Sequence, residues 1–242
     1  MVKLTKRDVR LLVKLNASRW LATRQVHAFI FPATNITAVR RRLRKLTQEG
    51  YVRSIRPHHE AEAFHTVGPK GAALLEARGK KVAREQTLPK QLGHLVGIND
   101  IRIAVETGGA SVSYFYAAWE LGRFEYFRHL IPDAVFCITD GRNRRFAVEY
   151  DCSTESRAIL ARKVTAYLEG GTSFVWHAVL IIGETASRVR SLAKYLRRLD
   201  LPERRILAAA MADVREAGIY GRVFMDLNEP GTHRIALREV GC

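Results

Sequence analysis

The sequence predicts an α+β protein in two parts, a small basic unit rich in helix followed by a larger unit with a mixed central sheet. Three observations carry this. The first third shows three short helical periodicities and then two short β-prone runs, whereas from residue 94 helices alternate with apolar strand patterns. Charge is split the same way. The chain carries +16, but residues 1–92 hold 20 Lys and Arg against 6 Asp and Glu, a net of +14, and residues 93–242 hold 20 against 18, a net of +2. Finally, 242 residues with 47% hydrophobic content can bury two modest cores. The expected boundaries are 1–80 for the basic unit, 81–93 for a polar connector containing Pro89, and 94–242 for the second unit.

In the first unit, Thr5 followed by Asp8 is a near capping box, ahead of the apolar face of Val9, Leu12 and Val13. A second helix is expected from Thr23, with Val26, Phe29 and Ile30 on one side, stopping before Pro32. Thr34 or Asn35 caps a third helix, in which Ile36, Val39, Leu43 and Leu46 recur at the three-and-four spacing of a buried stripe. That spacing leaves Thr37, Arg40, Arg41, Arg44 and Gln48 on another face, almost purely cationic and amide, and Lys45 extends the charge. Gly50 stops the helix. A short strand through Tyr51 to Ile55, a polar loop from Arg56 to Ala63 and a strand at Phe64 to Val67 follow, then Pro69 and a helix at Ala72 to Arg78.

Three helices and a hairpin in that order make a winged helix-turn-helix pattern, and Phe64 to Gly71 resembles the end of the wing in bacterial winged-helix regulators. A helix fits the major groove of duplex DNA, where Arg reads guanine O6 and N7 while neighbouring cations neutralise phosphates. The candidate contacts are Thr37, Arg40, Arg41, Arg44 and Lys45 on the helix, with Arg53, Arg56 and His58 on the wing. The plain alternative, a solvated basic face, is disfavoured by the helices and hairpin around it. His58 and His59 read as loop residues rather than a metal pair, and DNA binding of this kind requires no cofactor.

No run of about 18 apolar residues and no leader-like segment is present, so a cytoplasmic protein without a membrane span is expected. Cys137, Cys152 and Cys242 are too few and too scattered for a zinc site or a disulfide framework and read as free thiols.

In the second unit a helix is expected at His94 to Thr107, with strands at Ser111 to Ala117, Asp133 to Thr139 and Arg145 to Asp151. Then come a helix from Thr154 to Leu168 capped by Ser153 and a buried strand from Phe174 to Ile182. A hairpin centred on Arg142 would put Asp133 opposite Asp151, with Glu149 on the same face as Asp151. Three carboxylates so placed could close around a divalent cation; alternatively they are strand-end residues paired to Arg144, Arg145 or Arg157. Further on, Val189, Leu192, Ala193, Leu196 and Leu199 mark a helix with a basic outer face, Ile206 to Ala217 reads as a helix, and Gly221 to Leu227 and Arg234 to Val240 as strands. The apolar stretch Leu207 to Met211 is a candidate dimerisation element.

This order resembles the restriction-endonuclease-like, PD-(D/E)XK fold. Pro132-Asp133 stands for the first motif element, and Glu149-Tyr150-Asp151 stands where that family has acid-x-lysine. The resemblance implies Asp133 and Glu149 as Mg²⁺ ligands and a lysine that positions the attacking water. Asp151 occupies the lysine position. Lys163, on the same helical stripe as Leu160 and Tyr167, is the candidate replacement, against the simpler reading of a stem that carries its amine to water. The candidate catalytic set is therefore Asp133, Glu149, Asp151 and Lys163, with Mg²⁺ required only if the site is active.

Taken with the basic N-terminal unit, the segments His94 to Asp100, Trp119-Glu120, Ile131 to Ala134 and Phe146 to Ser153, followed by a helix ending at Tyr167, resemble the replication-relaxation family. That resemblance implies a protein of plasmids or other mobile elements that binds double-stranded DNA as a regulator or accessory factor in replication or conjugative transfer. The nuclease-like unit would then serve assembly, and replication or relaxase proteins are implied partners. A homodimer is expected, since winged helices often read palindromes. Two alternatives stand beside it, a Mg²⁺-dependent DNA endonuclease using Asp133, Glu149 and Asp151, and a dimeric transcriptional repressor.

Overall fold

The computed structural model describes residues 2–83, 87–153, 155–169, 175–199, 206–228 and 233–240. It divides into two compact units, Met1–Asn99 and Asp100–Cys242.

The first unit contains α1 (Lys6–Ser18), β1 (Leu21–Ala22), α2 (Thr23–Ile30), α3 (Ile36–Gln48), β2 (Val52–Ile55), β3 (Phe64–Val67) and α4 (Pro69–Glu76). Thr5 and Asp8 close the capping box expected of them: the Asp8 amide donates to Thr5 Oγ1, and the Thr5 amide to Asp8 Oδ2 at 2.6 Å. Of the two candidate caps for α3, Asn35 fills the position and accepts from the Thr37 amide at 2.8 Å. Gly50 then turns the chain into β2 at φ +81°, a conformation costly for any residue with a Cβ. α4 begins at Pro69, earlier than the periodicity suggests, because Gly71 lets it lie against the preceding chain: a Cβ there would sit 2.3 Å from the Tyr51 carbonyl oxygen. The strands form an antiparallel sheet in the order β1-β3-β2. β1, two residues long, is too short to leave a periodic signal. Leu11, Leu12, Leu15, Trp20, Phe29 and Leu43 fill the core.

α5 (Leu92–Thr107) contains the point of division. Its first half belongs to the first unit. Gln25 Nε2 donates to the Val96 carbonyl at 2.9 Å, and Asn99 Nδ2 to the Trp20 carbonyl at 2.8 Å. These amide contacts tie α5 as far as Asn99 to the first compact unit.

The second unit continues with β4 (Val112–Ala117), α6 (Ala118–Leu121), β5 (Ala134–Ile138), β6 (Arg144–Asp151), α7 (Arg157–Leu168) and β7 (Ala178–Gly183). It ends with α8 (Ala186–Leu196), β8 (Ile206–Ala210), α9 (Met211–Ala217), β9 (Phe224–Asp226) and β10 (Arg234–Ile235). The described residues thus hold nine α-helices and a seven-stranded sheet in the order β10-β9-β8-β7-β6-β5-β4. β6, β7 and β8 run parallel and the outer strands antiparallel, so the expected α+β chain with a mixed sheet is observed. α7 and α8 are the crossovers between the parallel strands, and Leu160, Val164, Leu192 and Leu196 bury their inner faces against it.

Four local expectations are corrected. Ile206 to Ala210 is a strand, not the start of a helix, and only Met211–Ala217 is helical. A run buried on every side carries no period, and this one lies between β7 and β9, so Leu207 to Ala210 are not available for dimerisation. α7 starts at Arg157 under a Ser156 cap, not a Ser153 cap. β7 is described from Ala178, and Phe174, the expected start, lies outside the described residues. Arg234 to Val240 is a two-residue strand followed by a 3-10 turn at Leu237–Glu239.

Candidate functional site

The first site follows from how α3 is fixed. Val39, Leu43 and Leu46 are buried, which turns Thr37, Arg40, Arg41, Arg44, Lys45 and Gln48 outward. Arg42, in the middle of the basic run, does not join them. Its Nε and Nη2 donate to the two oxygens of Asp8 at 2.9 and 2.5 Å, and Nη2 also reaches the Lys3 carbonyl. Asp8 is buried, which would raise its pKa, but the Arg42 and Thr5 hydrogen bonds outweigh burial and hold it below the usual carboxylate range. One carboxylate thus caps α1 and clamps α3. The signal was present in the spacing, since Arg42 stands three residues after Val39 and four before Leu46, at the margin of the buried stripe.

A cleft of about 1170 Å³ lies between α3 and the loop from Arg56 to Ala63. Thr37, Arg40, Arg41 and Arg44 line it from the helix and Arg56 from the loop. Lys45, Arg53 and His58 lie outside that lining, with Lys45 and His58 exposed and Arg53 half-buried on β2. Arg56 Nη1 donates to the Ala61 carbonyl at 3.1 Å, which folds the loop on itself. Glu60 and Glu62 also face the cleft, an acidic contribution that charge counting did not single out, and Glu62 accepts from the Arg24 amide at 2.5 Å.

The floor is a polar chain that the sequence reading missed. The buried His65 sets Nε2 2.9 Å from Thr23 Oγ1 and Nδ1 2.8 Å from Ser54 Oγ, and Ser54 Oγ lies 2.9 Å from Thr47 Oγ1. The four residues come from α2, β3, β2 and α3, so the chain fixes the helix on the hairpin. Burial, with the Arg56 charge adding to it, pushes the His65 pKa down to about 4. The imidazole is therefore neutral at neutral pH and matches hydroxyl partners that can both donate and accept.

The second site lies on β5, β6 and α7. The β5–β6 register is centred on Gly141 rather than Arg142, pairing Ala134 with Val148 and carrying Asp133 opposite Glu149 instead of Asp151. Asp133 Oδ2 accepts from the Tyr150 amide at 2.8 Å. Glu149, almost wholly buried, accepts from Lys163 Nζ at 2.9 Å and from Tyr167 Oη at 2.5 Å. Lys163 does not carry its amine out to water; it also reaches Glu155 at 3.1 Å. Asp151 is drawn elsewhere, to Arg188 of α8, whose Nε lies 2.5 Å from Oδ2.

Burial and the neighbouring Asp133 push Glu149 up to about 7 against the opposing pull of Lys163 and Tyr167. The Lys163 ammonium is held charged by Glu149, Asp133 and Glu155, which overcome its burial. The expected convergence of three carboxylates is therefore corrected. Lys163 and Arg188 each take one of the acids, and no group of three His, Cys, Asp or Glu side chains suited to a metal occurs among the described residues. Asp133 and Glu149, the two residues that the resemblance gives as metal ligands, lie together with Lys163, whereas Asp151 is drawn to Arg188. Of the acids, Glu149 and Asp151 take Lys163 and Arg188 rather than Arg144, Arg145 or Arg157, the partners considered from sequence.

No helix is long and apolar enough to cross a membrane among the described residues. No curated protein and no solved structure matches the chain. A family model described as replication-relaxation matches residues 12–173, about two thirds of the chain, and takes in both the cleft and the carboxylate–lysine site. On that match the chain belongs to the replication-relaxation family.

Proposed function

We propose that the chain is a sequence-specific double-stranded DNA-binding protein of a plasmid or other mobile element, a regulator or accessory factor in replication or conjugative transfer. Residues 1–80 act as a winged-helix reading head, joined by 81–93 to a nuclease-like unit at 94–242 that serves assembly, including a homodimer and docking to replication or relaxase proteins. One observation carries the reading: Thr37, Arg40, Arg41 and Arg44 share the exposed side of α3 and line one cleft with Arg56. In this reading α3 enters the major groove, the arginines contact guanine edges and phosphates, and the loop from Arg56 approaches the flanking backbone. The net +14 of residues 1–92 supplies the long-range field. Family membership supports a role connected with replication.

The non-catalytic reading is favoured over a Mg²⁺-dependent endonuclease because Asp151, one of the three acids that reading uses, is tied to Arg188. The test of DNA reading is duplex selection with the intact protein, followed by binding to the selected site over a salt series. Arg40→Ala with Arg44→Ala should weaken binding strongly and flatten the salt slope by about two. Unchanged binding would mean that α3 does not meet the DNA. Incubation of supercoiled plasmid with Mg²⁺ or Mn²⁺ should leave it intact; nicking lost in Glu149→Gln would restore the endonuclease reading.

A further inference from the structure

The near-neutral total of the second unit hides a sharp segregation. Residues 157–168 and 186–199, which span α7, α8 and the turn after it, hold eight Lys and Arg and no Asp or Glu; the rest of Asp100–Cys242 holds 12 against 18. Lys163 and Arg188 turn inward to carboxylates, as described above. The other six, Arg157, Arg162, Arg190, Lys194, Arg197 and Arg198, are all exposed, and none makes an ion pair with a described carboxylate. Arg190 and Lys194, four apart, share a face of α8, and Arg198 follows in the turn after it. Arg157 brings α7 into the same surface: its Nη1 lies 3.3 Å from Ser191 Oγ, and its guanidinium and that of Arg198 each lie 5.7 Å from the centre of the Tyr195 ring.

We propose that this face is a second polyanion-binding surface, which holds the sugar–phosphate backbone of duplex DNA. Like charges gathered on two packed helices, with no described carboxylate paired to them, repel one another, and a line of phosphates relieves that cost. Five of the six are Arg, whose planar fork matches phosphate oxygens in pairs. α8 exposes no large apolar side chain and Tyr195, its one aromatic, is already engaged by two guanidiniums; Ile159 and Leu168, the exposed apolar side chains of α7, stand nine residues apart, so the face offers charge rather than a continuous apolar patch. Four of the six residues lie beyond the stretch matched by the family model. The proposal rests on the reading of a DNA-binding protein in one respect: the backbone held here belongs to the DNA that α3 reads.

The test uses the full chain carrying Arg162→Gln, Arg190→Gln, Lys194→Gln and Arg198→Gln, with folding checked by circular dichroism. Binding to random-sequence duplex is measured over a salt series, beside Arg40→Ala/Arg44→Ala and the combination of both sets. The expected result is a salt slope reduced by about three to four, so that the affinity change between about 50 and about 200 mM salt shrinks by roughly 100-fold. The combined variant should lose the residual binding that Arg40→Ala/Arg44→Ala retains. If the fourfold change unfolds the protein, Arg190→Gln/Lys194→Gln alone should lower the slope by about two. A wild-type slope in the folded variant overturns the proposal, as does loss of binding to polyglutamate or anionic phospholipid vesicles with duplex binding unchanged. If Arg40→Ala/Arg44→Ala has no effect while this set does, the α3 reading fails and this one stands.

Discussion

Arg42 and its neighbours Arg40, Arg41 and Arg44 are the same residue in one helix, but Arg42 is tied to Asp8 while the other three line the cleft. Arg42→Ala removes two charge-assisted hydrogen bonds to Asp8 and leaves a carboxylate with 1% side-chain exposure held by Thr5 alone. Stranding one partner of a fully buried pair costs about 3–5 kcal/mol. Arg42 is itself 26% exposed and Asp8 keeps its Thr5 bonds, so the loss here should be about 2–3 kcal/mol. In the full chain, hydrogen–deuterium exchange of the α1 and α3 amides that open with the unit should accelerate by about 30- to 150-fold. The salt slope of DNA binding should stay at the wild-type value, because Arg42 lines no part of the cleft. A variant with unchanged exchange and a slope reduced by about one would refute this division of roles and place Arg42 on the DNA.

Two further outcomes follow from the titrating groups. The His65 pKa falls from 6.5 to about 4 on folding, so the stability it confers is complete above pH 6.5 and lost as pH falls toward 4; the loss should be about 2 kcal/mol at about pH 5 and about 3 kcal/mol below pH 4. In a Trp119→Phe/Trp176→Phe background, unfolding followed by the remaining Trp20 emission should show this slope and His65→Gln should flatten it; an unchanged slope in the variant would detach the effect from His65. Lys163→Met leaves Glu149 buried beside Asp133 without its cation and should destabilise the second unit by about 3 kcal/mol near pH 8. Its pKa already lies above that of an ordinary glutamate, so losing Lys163 raises it further and stability should return as pH is lowered toward 5. Adding Glu149→Gln should restore stability at pH 8, measured by urea unfolding, and a double variant no better than the single would show that the charge is not what matters.

Features set within a few residues were legible beforehand. The α1 capping box, the stop at Gly50, the buried stripe of α3 and the alternation that puts Glu149 and Asp151 on one face all depend on spacings of four or fewer. The strand at Ile206 to Ala210 was not, because a segment buried on every side has no period to read. The β5–β6 register was missed by one residue in the turn, enough to exchange Asp151 for Glu149 opposite Asp133.

The sequence by itself determined that the chain is α+β, that its charge is concentrated in the first third, and that α3 presents a cationic face. These properties are sums over composition or repeats along one helix, and no distant residue can change them. Only the tertiary structure decided which charges are taken up by described carboxylates. Arg42 is neutralised by Asp8, 34 positions away, and Arg188 by Asp151, 37 away, while Arg40, Arg41 and Arg44 are left along the cleft and Arg190 and Lys194 on α8, with Arg198 in the turn after it. Ion pairing depends on distances of a few ångströms between residues far apart in the chain, and only packing brings those residues together.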